Sequence, residues 1–232
     1  MRPFDKPALS VEQQLELLKQ RGLHITDDDR AMRFLEVVTL FRLSPYMRPF
    51  QEPNPEHTFK PGSTLKAIVN IYRFDGSLRR IIMDAIERVE VAIRATISNG
   101  IYPLQCHGRS ADKKAIATRF SLPFEVLASW LHTLTFIRNC CAHHSRLWNR
   151  ELSIRPSLPK EWAIPTAPAD RPQPKQRLYV VLTMLAYLTD LINPDIYWKF
   201  RLAEIMDRQE LDYLRLMGFP NDWKRQQQWC LA

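Results

Sequence analysis

The stretch SLPFEVLASWLHTLTFIRNCCAHHSRLWNR (residues 121–150) begins as an apolar helix and ends in a dense run of polar groups. Val126, Leu127, Trp130, Leu131, Leu134, Ile137 and Cys141 recur at steps of one, three and four residues, so they form one stripe of a helix with 3.6 residues per turn. No alternating pattern of strand type competes with it. Its last turns carry Arg138, Asn139, Cys140, Cys141, His143 and His144, which makes the end of the strongest helix the first place to look for chemistry.

Outward from this helix the helical pattern persists. Toward the N-terminus, Leu65, Ile68, Val69, Tyr72, Leu78, Ile81, Ile82, Ala85, Val89, Ala92, Ile93 and Thr96 trace one face of a long helix from Ser63 to about Asn99, with Asp75-Gly76 as a candidate break. Ser10 with Gln13 and Thr26 with Asp29 have the spacing of N-terminal caps, which predicts helices over about 10–21, stopped at Gly22, and 27–42. Between them and the long helix, SPYMRPFQEPNPEHTFKPG (44–62) has five prolines and no period, so it reads as a loop. A weak helix is expected around 112–119. Beyond the quoted stretch, six prolines between 156 and 174 predict an irregular surface segment, followed by helices over about 176–192 and 195–217, the second ending near Gly218. The expected fold class is all-α, and 232 residues suit a single domain over 1–232.

Composition narrows the function classes. The chain is 45% hydrophobic and 25% charged, which is globular rather than disordered, and it contains no apolar run of membrane-spanning length. The opening MRPFDKPALS lacks the apolar core of an export signal, so a cytoplasmic protein with no membrane partner is expected. In that compartment Cys106, Cys140, Cys141 and Cys230 are read as free thiols. The net charge is +8, and between Arg138 and Arg177 eight basic residues face three acidic ones, so the surplus gathers around the quoted stretch. A polyanion is the partner such a surplus favours.

Three chemistries compete for the end of the motif helix. Cys140 and His144 are four residues apart and would share a helix face as two metal ligands, but Cys106-His107, Cys230, His24, His57, His132 and His143 add no finger or ribbon spacing, so neither a metal nor any other cofactor is expected. Metal-free RNA cleavage needs a proton acceptor near the ribose 2′-hydroxyl, a proton donor for the leaving oxygen and a cation where phosphate charge grows. Histidine and arginine supply these. Asn139 lies four residues before His143 and is spaced to steer its imidazole, while Arg138, four residues after Leu134, sits at the edge of the apolar stripe, where an unpaired guanidinium would be costly. Arg138 and His143 are nevertheless five residues apart, about 140° around an ideal helix, so one copy does not aim both at one phosphate. Two copies meeting about a two-fold axis would line one cleft with both pairs. The third reading is plain: Arg and His in a last turn complement the negative end of the helix and do nothing else.

RNCCAHHSRLWNRELSIRPSLP (138–159) resembles the signature of the Abi-like (AbiD/AbiF type) abortive-infection proteins, a branch of the HEPN superfamily. KPALSVEQQLELLKQRGL (6–23), FRLSPYMRPF (41–50), YRFDGSLRRIIMDAIERVEVAIR (72–94) and MGFPNDW (217–223) resemble that family's other segments in the same order. Its recurring motif, Arg, four to six residues, then His, is matched by Arg138, Asn139 and His143, with His144 inside the same spacing window. The resemblance implies a HEPN-like helical bundle with additional N- and C-terminal helices. It also implies a homodimer or higher homo-oligomer that cuts RNA without metal to 2′,3′-cyclic phosphate and 5′-hydroxyl ends, in phage defence or a toxin–antitoxin pair, and a structured non-coding RNA as a further partner. In such a bundle the helix DAIERVEVAIR (84–94) packs beside the motif helix, which makes Glu90 and Arg94 candidate support for the site, with surface ion pairs as the alternative. Arg146, Arg150, Arg155 and Lys160 are candidate RNA-backbone contacts and Trp148 a candidate base-stacking residue, against solvated charges and a core tryptophan. The rival reading from another class is an RNA-binding module that keeps the fold and has lost catalysis. The chain departs from the family between Tyr102 and Lys113, where PLQCHGRSAD replaces a longer, partly helical insert.

Overall fold

The computed structural model describes residues 9–101, 109–162, 176–194 and 197–229. Among these residues the regular structure is helical throughout, with two isolated bridge pairings, His24 to Thr64 and Gln51 to Phe59, in place of strands. The all-α expectation holds. The chain divides into two compact units, residues 1–74 and 75–232.

In the first unit, α1 (Val11–Gln20) starts on the expected capping box, in which Ser10 accepts from the Gln13 backbone and Gln13 accepts from that of Ser10. Gly22 follows at φ +88, where a side chain would be strained. The second predicted helix is in fact two: α2 (Asp28–Val38), capped by Asp27 rather than Thr26, and α3 (Leu40–Met47). Thr39 separates them at φ 63, ψ 147, ending one helix and capping the next by accepting from the Arg42 N–H at 3.3 Å. The proline-rich stretch also begins later than expected, because α3 runs through Pro45. The Phe41 carbonyl, which a proline four residues on cannot serve, accepts from the Ser44 hydroxyl at 2.9 Å instead. Leu15, Leu18, Leu35, Leu43, Tyr46 and Ile68 form the core of this unit, and Tyr72 meets Phe34 and Tyr46 edge-on.

The long helix α4 (Leu65–Ile101) continues through Asp75 and Gly76, so the candidate break there is not present. Its portion in the second unit buries Leu78, Ile82, Ala85, Ile86 and Val89. After α5 (Arg109–Arg119), the motif helix α6 (Phe124–Ala142) buries Leu127, Trp130, Leu134, Ile137, Cys140 and Cys141. It starts after Pro123 rather than at Ser121, whose φ of 50 turns the chain before the helix. Helix α7 (Leu178–Ile192) is buried on nearly every side, as its predominantly apolar sequence requires. The last predicted helix is also two, α8 (Tyr197–Asp207) and α9 (Leu211–Leu216), with Glu210 extended between them. Continued past Trp198, Leu202 and Met206, one straight helix would carry Gln209 or Glu210 onto the buried stripe; the break brings Leu214 and Met217 inward instead. Of the expected irregular segment between Pro156 and Pro174, residues up to Trp162 are described; 163–175, 102–108, Cys106, His107 and Cys230 lie outside the described residues.

Candidate functional site

Helix α6 ends immediately after its polar turn. His143 is its C-cap, and His144 adopts φ 54, the left-handed conformation that follows many helix ends. The His144 N–H donates to the Cys141 carbonyl at 3.0 Å and that of Ser145 to the Cys140 carbonyl at 2.8 Å, the two bonds of a Schellman cap. His144 therefore lies outside the helix, and the shared helix face that would make it a metal partner of Cys140 does not exist. Both cysteines are buried. Burial raises the Cys140 thiol above its ordinary range and pushes the Cys141 thiol up to about 12, despite the Arg79 guanidinium nearby. At neutral pH both are thiols rather than thiolates, unsuited as they stand to attack or to bind metal. Among the described residues no group of three His, Cys, Asp or Glu side chains is placed to hold an ion.

Asn139, His143 and His144 are exposed, and Arg138 is half-exposed at the edge of the buried stripe. Its guanidinium has an ion-pair partner but no hydrogen bond at its buried Nε: that atom lies 3.4 Å from one oxygen of Glu90 on α4, while Arg94 approaches the other oxygen at 3.4 Å. Glu90 thus joins the two arginines anticipated around the site. Beside this pair runs a groove of about 240 Å³ between α4 and α6, floored by Ile86, Val89, Ile93 and Leu134 and edged by Glu90, Arg94 and Arg138. Being half-exposed, the Glu90–Arg138 pair contributes at most about 1 kcal/mol to stability, so its consequence is the placement of the guanidinium.

A second constellation, absent from the sequence reading, fixes the chain leaving α6. Asp75 is fully buried on α4 and accepts from the backbone N–H groups of Leu147 and Trp148 at 3.0 and 2.7 Å through one oxygen. Its other oxygen binds Arg79 one turn later, and Arg79 also reaches the Ser145 carbonyl at 3.4 Å. A buried ion pair on α4 therefore ties down the segment directly after His143 and His144. The signal was present in the sequence: Asp75 falls on the apolar stripe Ile68, Ile71, Leu78, Ile82, where a carboxylate is tolerated only with partners.

The outer residues separate. Trp148 is fully buried, its ring edge-on to Tyr213 at 5.8 Å, so the expectation that it stacks on a base is corrected: the Asp75 bond to its backbone draws it into the core. Arg150 packs its guanidinium over the Phe136 ring at 5.7 Å and donates to the Arg146 carbonyl at 3.1 Å, so it is anchored beside α6. Arg155 and Lys160 are exposed, and Arg146 is half-buried.

A family profile described as Abi-like protein matches residues 33–110 and 104–149, half of the chain between them. The two matches meet in the short segment that departs from the family pattern, and the second ends just after the motif. No curated protein and no solved structure matches the chain significantly.

Proposed function

The chain belongs to the Abi-like protein family, and from that premise we propose that it is a HEPN-type endoribonuclease of bacterial abortive infection, cutting RNA without metal at a site shared by two copies. The observation that supports this reading is the position of Arg138: half-exposed and at ion-pair distance from Glu90, it stands on the same helix end that exposes Asn139 and His143. In the proposed reaction a neutral His143 imidazole takes the proton of a ribose 2′-hydroxyl. The 2′-oxygen forms a bond to phosphorus and the bond to the 5′-oxygen breaks, that oxygen taking a proton from the protonated His143 of the second copy. The products are a 2′,3′-cyclic phosphate and a 5′-hydroxyl, and Arg138 offsets the charge that builds on the non-bridging oxygens. Asn139 orients the imidazole.

Pairing of two copies is favoured by the outward side of α4, where Val91 is 58% exposed and Ile97 also reaches solvent beside Arg94. Arg146, Arg155 and Lys160 then bind phosphates along the strand, with Arg150 as an anchored contact, and a cytoplasmic setting with a structured non-coding RNA partner fits this surface. No single described helix is long and apolar enough to cross a membrane. One observation favours the second reading, an RNA-binding module without catalysis: within one chain Arg138 already has a carboxylate partner.

The two readings separate in a comparison of wild type with Arg138→Ala and His143→Ala, scored for decay of labelled RNA in EDTA and for growth arrest on expression. Loss of both activities in both variants is expected. Decay at the same rate in all three would leave the binding module, and decay that EDTA abolishes would point to metal chemistry.

A further inference from the structure

The first unit holds a cleft that the proposed cleavage does not use. It has a volume of about 340 Å³ and lies between the start of α2 and the first turns of α4. Arg30, Ala31 and Phe34 line it from α2, and Lys66, Val69, Asn70 and Arg73 from α4, each set repeating at the three- and four-residue spacing of one helix face. The floor is apolar. Ala31 and Leu65 are buried, and the Phe34 ring is fixed edge-on to Tyr72 with centroids 6.0 Å apart.

The rim is cationic: Arg30, Lys66 and Arg73 are exposed around this floor, with His24 beside them. Among the described residues no carboxylate lies within 4.0 Å of those three charges; the one acid in the lining, Asp27, accepts from the Arg30 backbone N–H at 2.9 Å as the cap of α2. Three cations sharing a small cleft with one carboxylate repel one another, and a bound anion relieves that repulsion. A ligand that satisfies both parts needs a flat apolar body for Phe34 and Val69 and a dense negative group for the rim. The volume is at the lower end of the usual range for ligand sites, about 300–1,000 Å³, which suits one nucleotide and excludes a duplex.

We infer that this cleft binds a single phosphorylated nucleoside unit, its base against Phe34 and Val69 and its phosphate on Arg30, Lys66 and Arg73. Such a unit is available as a free nucleotide or as one residue of single-stranded RNA. The inference does not depend on cleavage by Arg138 and His143.

The test uses the full chain carrying His143→Ala, so that RNA survives, titrated by calorimetry with adenosine and guanosine 5′-monophosphates, inorganic phosphate and a short single-stranded RNA. Arg30→Ala and Arg73→Ala, both at exposed positions, should each weaken nucleotide binding about tenfold, the loss of one charge-assisted hydrogen bond, with the helical circular dichroism unchanged. Phe34→Leu should weaken the monophosphates and leave inorganic phosphate unaffected. Saturable binding of monophosphates that the rim variants weaken identifies a free nucleotide. Binding of RNA alone, weakened by the same variants, identifies an RNA residue. Absence of saturable binding by any of the four probes, binding indifferent to Arg30→Ala and Arg73→Ala, or inorganic phosphate bound as tightly as the nucleotides would overturn the inference.

Discussion

Asp75 holds the backbone after the motif through one oxygen and Arg79 through the other, so its two oxygens are separable by substitution. Asp75→Ala strands the buried Arg79 charge and two backbone N–H groups and is expected to cost about 3–5 kcal/mol in urea unfolding. Asp75→Asn keeps an oxygen for Leu147 and Trp148 but turns an amide N–H₂ toward the guanidinium, so it should cost less than alanine and more than a surface change; equal midpoints for all three proteins would remove Asp75 from this role. His144 supports a second prediction. Its φ of 54 is a conformation in which glycine carries no side-chain penalty, so His144→Gly should hold or raise the melting temperature. If His143 is the proton carrier, His144→Gly also retains RNA cleavage, and loss of cleavage with the fold intact would move the role to His144.

At the scale of elements, the informative departures sit where two helices replace one. Thr39 occupies a backbone region that is essentially glycine's, at a cost of about 1–3 kcal/mol. Thr39→Gly removes that strain and gives up a cap hydroxyl whose loss to glycine costs only a few tenths of a kcal/mol, so a rise of about 1 kcal/mol in unfolding free energy is expected; a fall would mean that the threonine contacts outweigh the strain. Sequence periodicity located α1, α4, α6 and α7 because each has a long apolar stripe or a strong cap. It ran past Thr39, where a single residue ends one helix and caps the next, and past Glu210, although Gln209 and Glu210 fall where the stripe calls for apolar residues. It marked Asp75-Gly76 as a candidate break, because a charge and a glycine look like punctuation. There one partner of the carboxylate, Arg79, stands one turn away, but the two backbone N–H groups that complete its bonding come from residues more than seventy positions away, a distance over which local spacing carries no information.

At the scale of the molecule, the candidate site was legible as residue types and only partly as geometry. Spacing and resemblance singled out Arg138, Asn139 and His143 as candidates, and the cost of an unpaired guanidinium at the edge of the stripe is met in the structure by the nearness of Glu90. The burial of Trp148 was the plain alternative to base stacking in the sequence, and what decides it is a tertiary bond to its backbone rather than its neighbours in sequence. On an ideal helix Arg138 and His143 point about 140° apart, and the proposed function assigns their convergence on one phosphate to a second copy. Mixing tests this directly. Arg138→Ala and His143→Ala chains, each inactive alone, are unfolded together, refolded and assayed for RNA cleavage in EDTA. A composite two-fold site predicts that the mixture regains a small part of the wild-type rate, because each heterodimer keeps one arginine and one histidine base, with water protonating the 5′-oxygen in place of the missing second histidine. A mixture that forms heterodimers yet stays as inactive as either parent, while wild type cleaves, would contradict it.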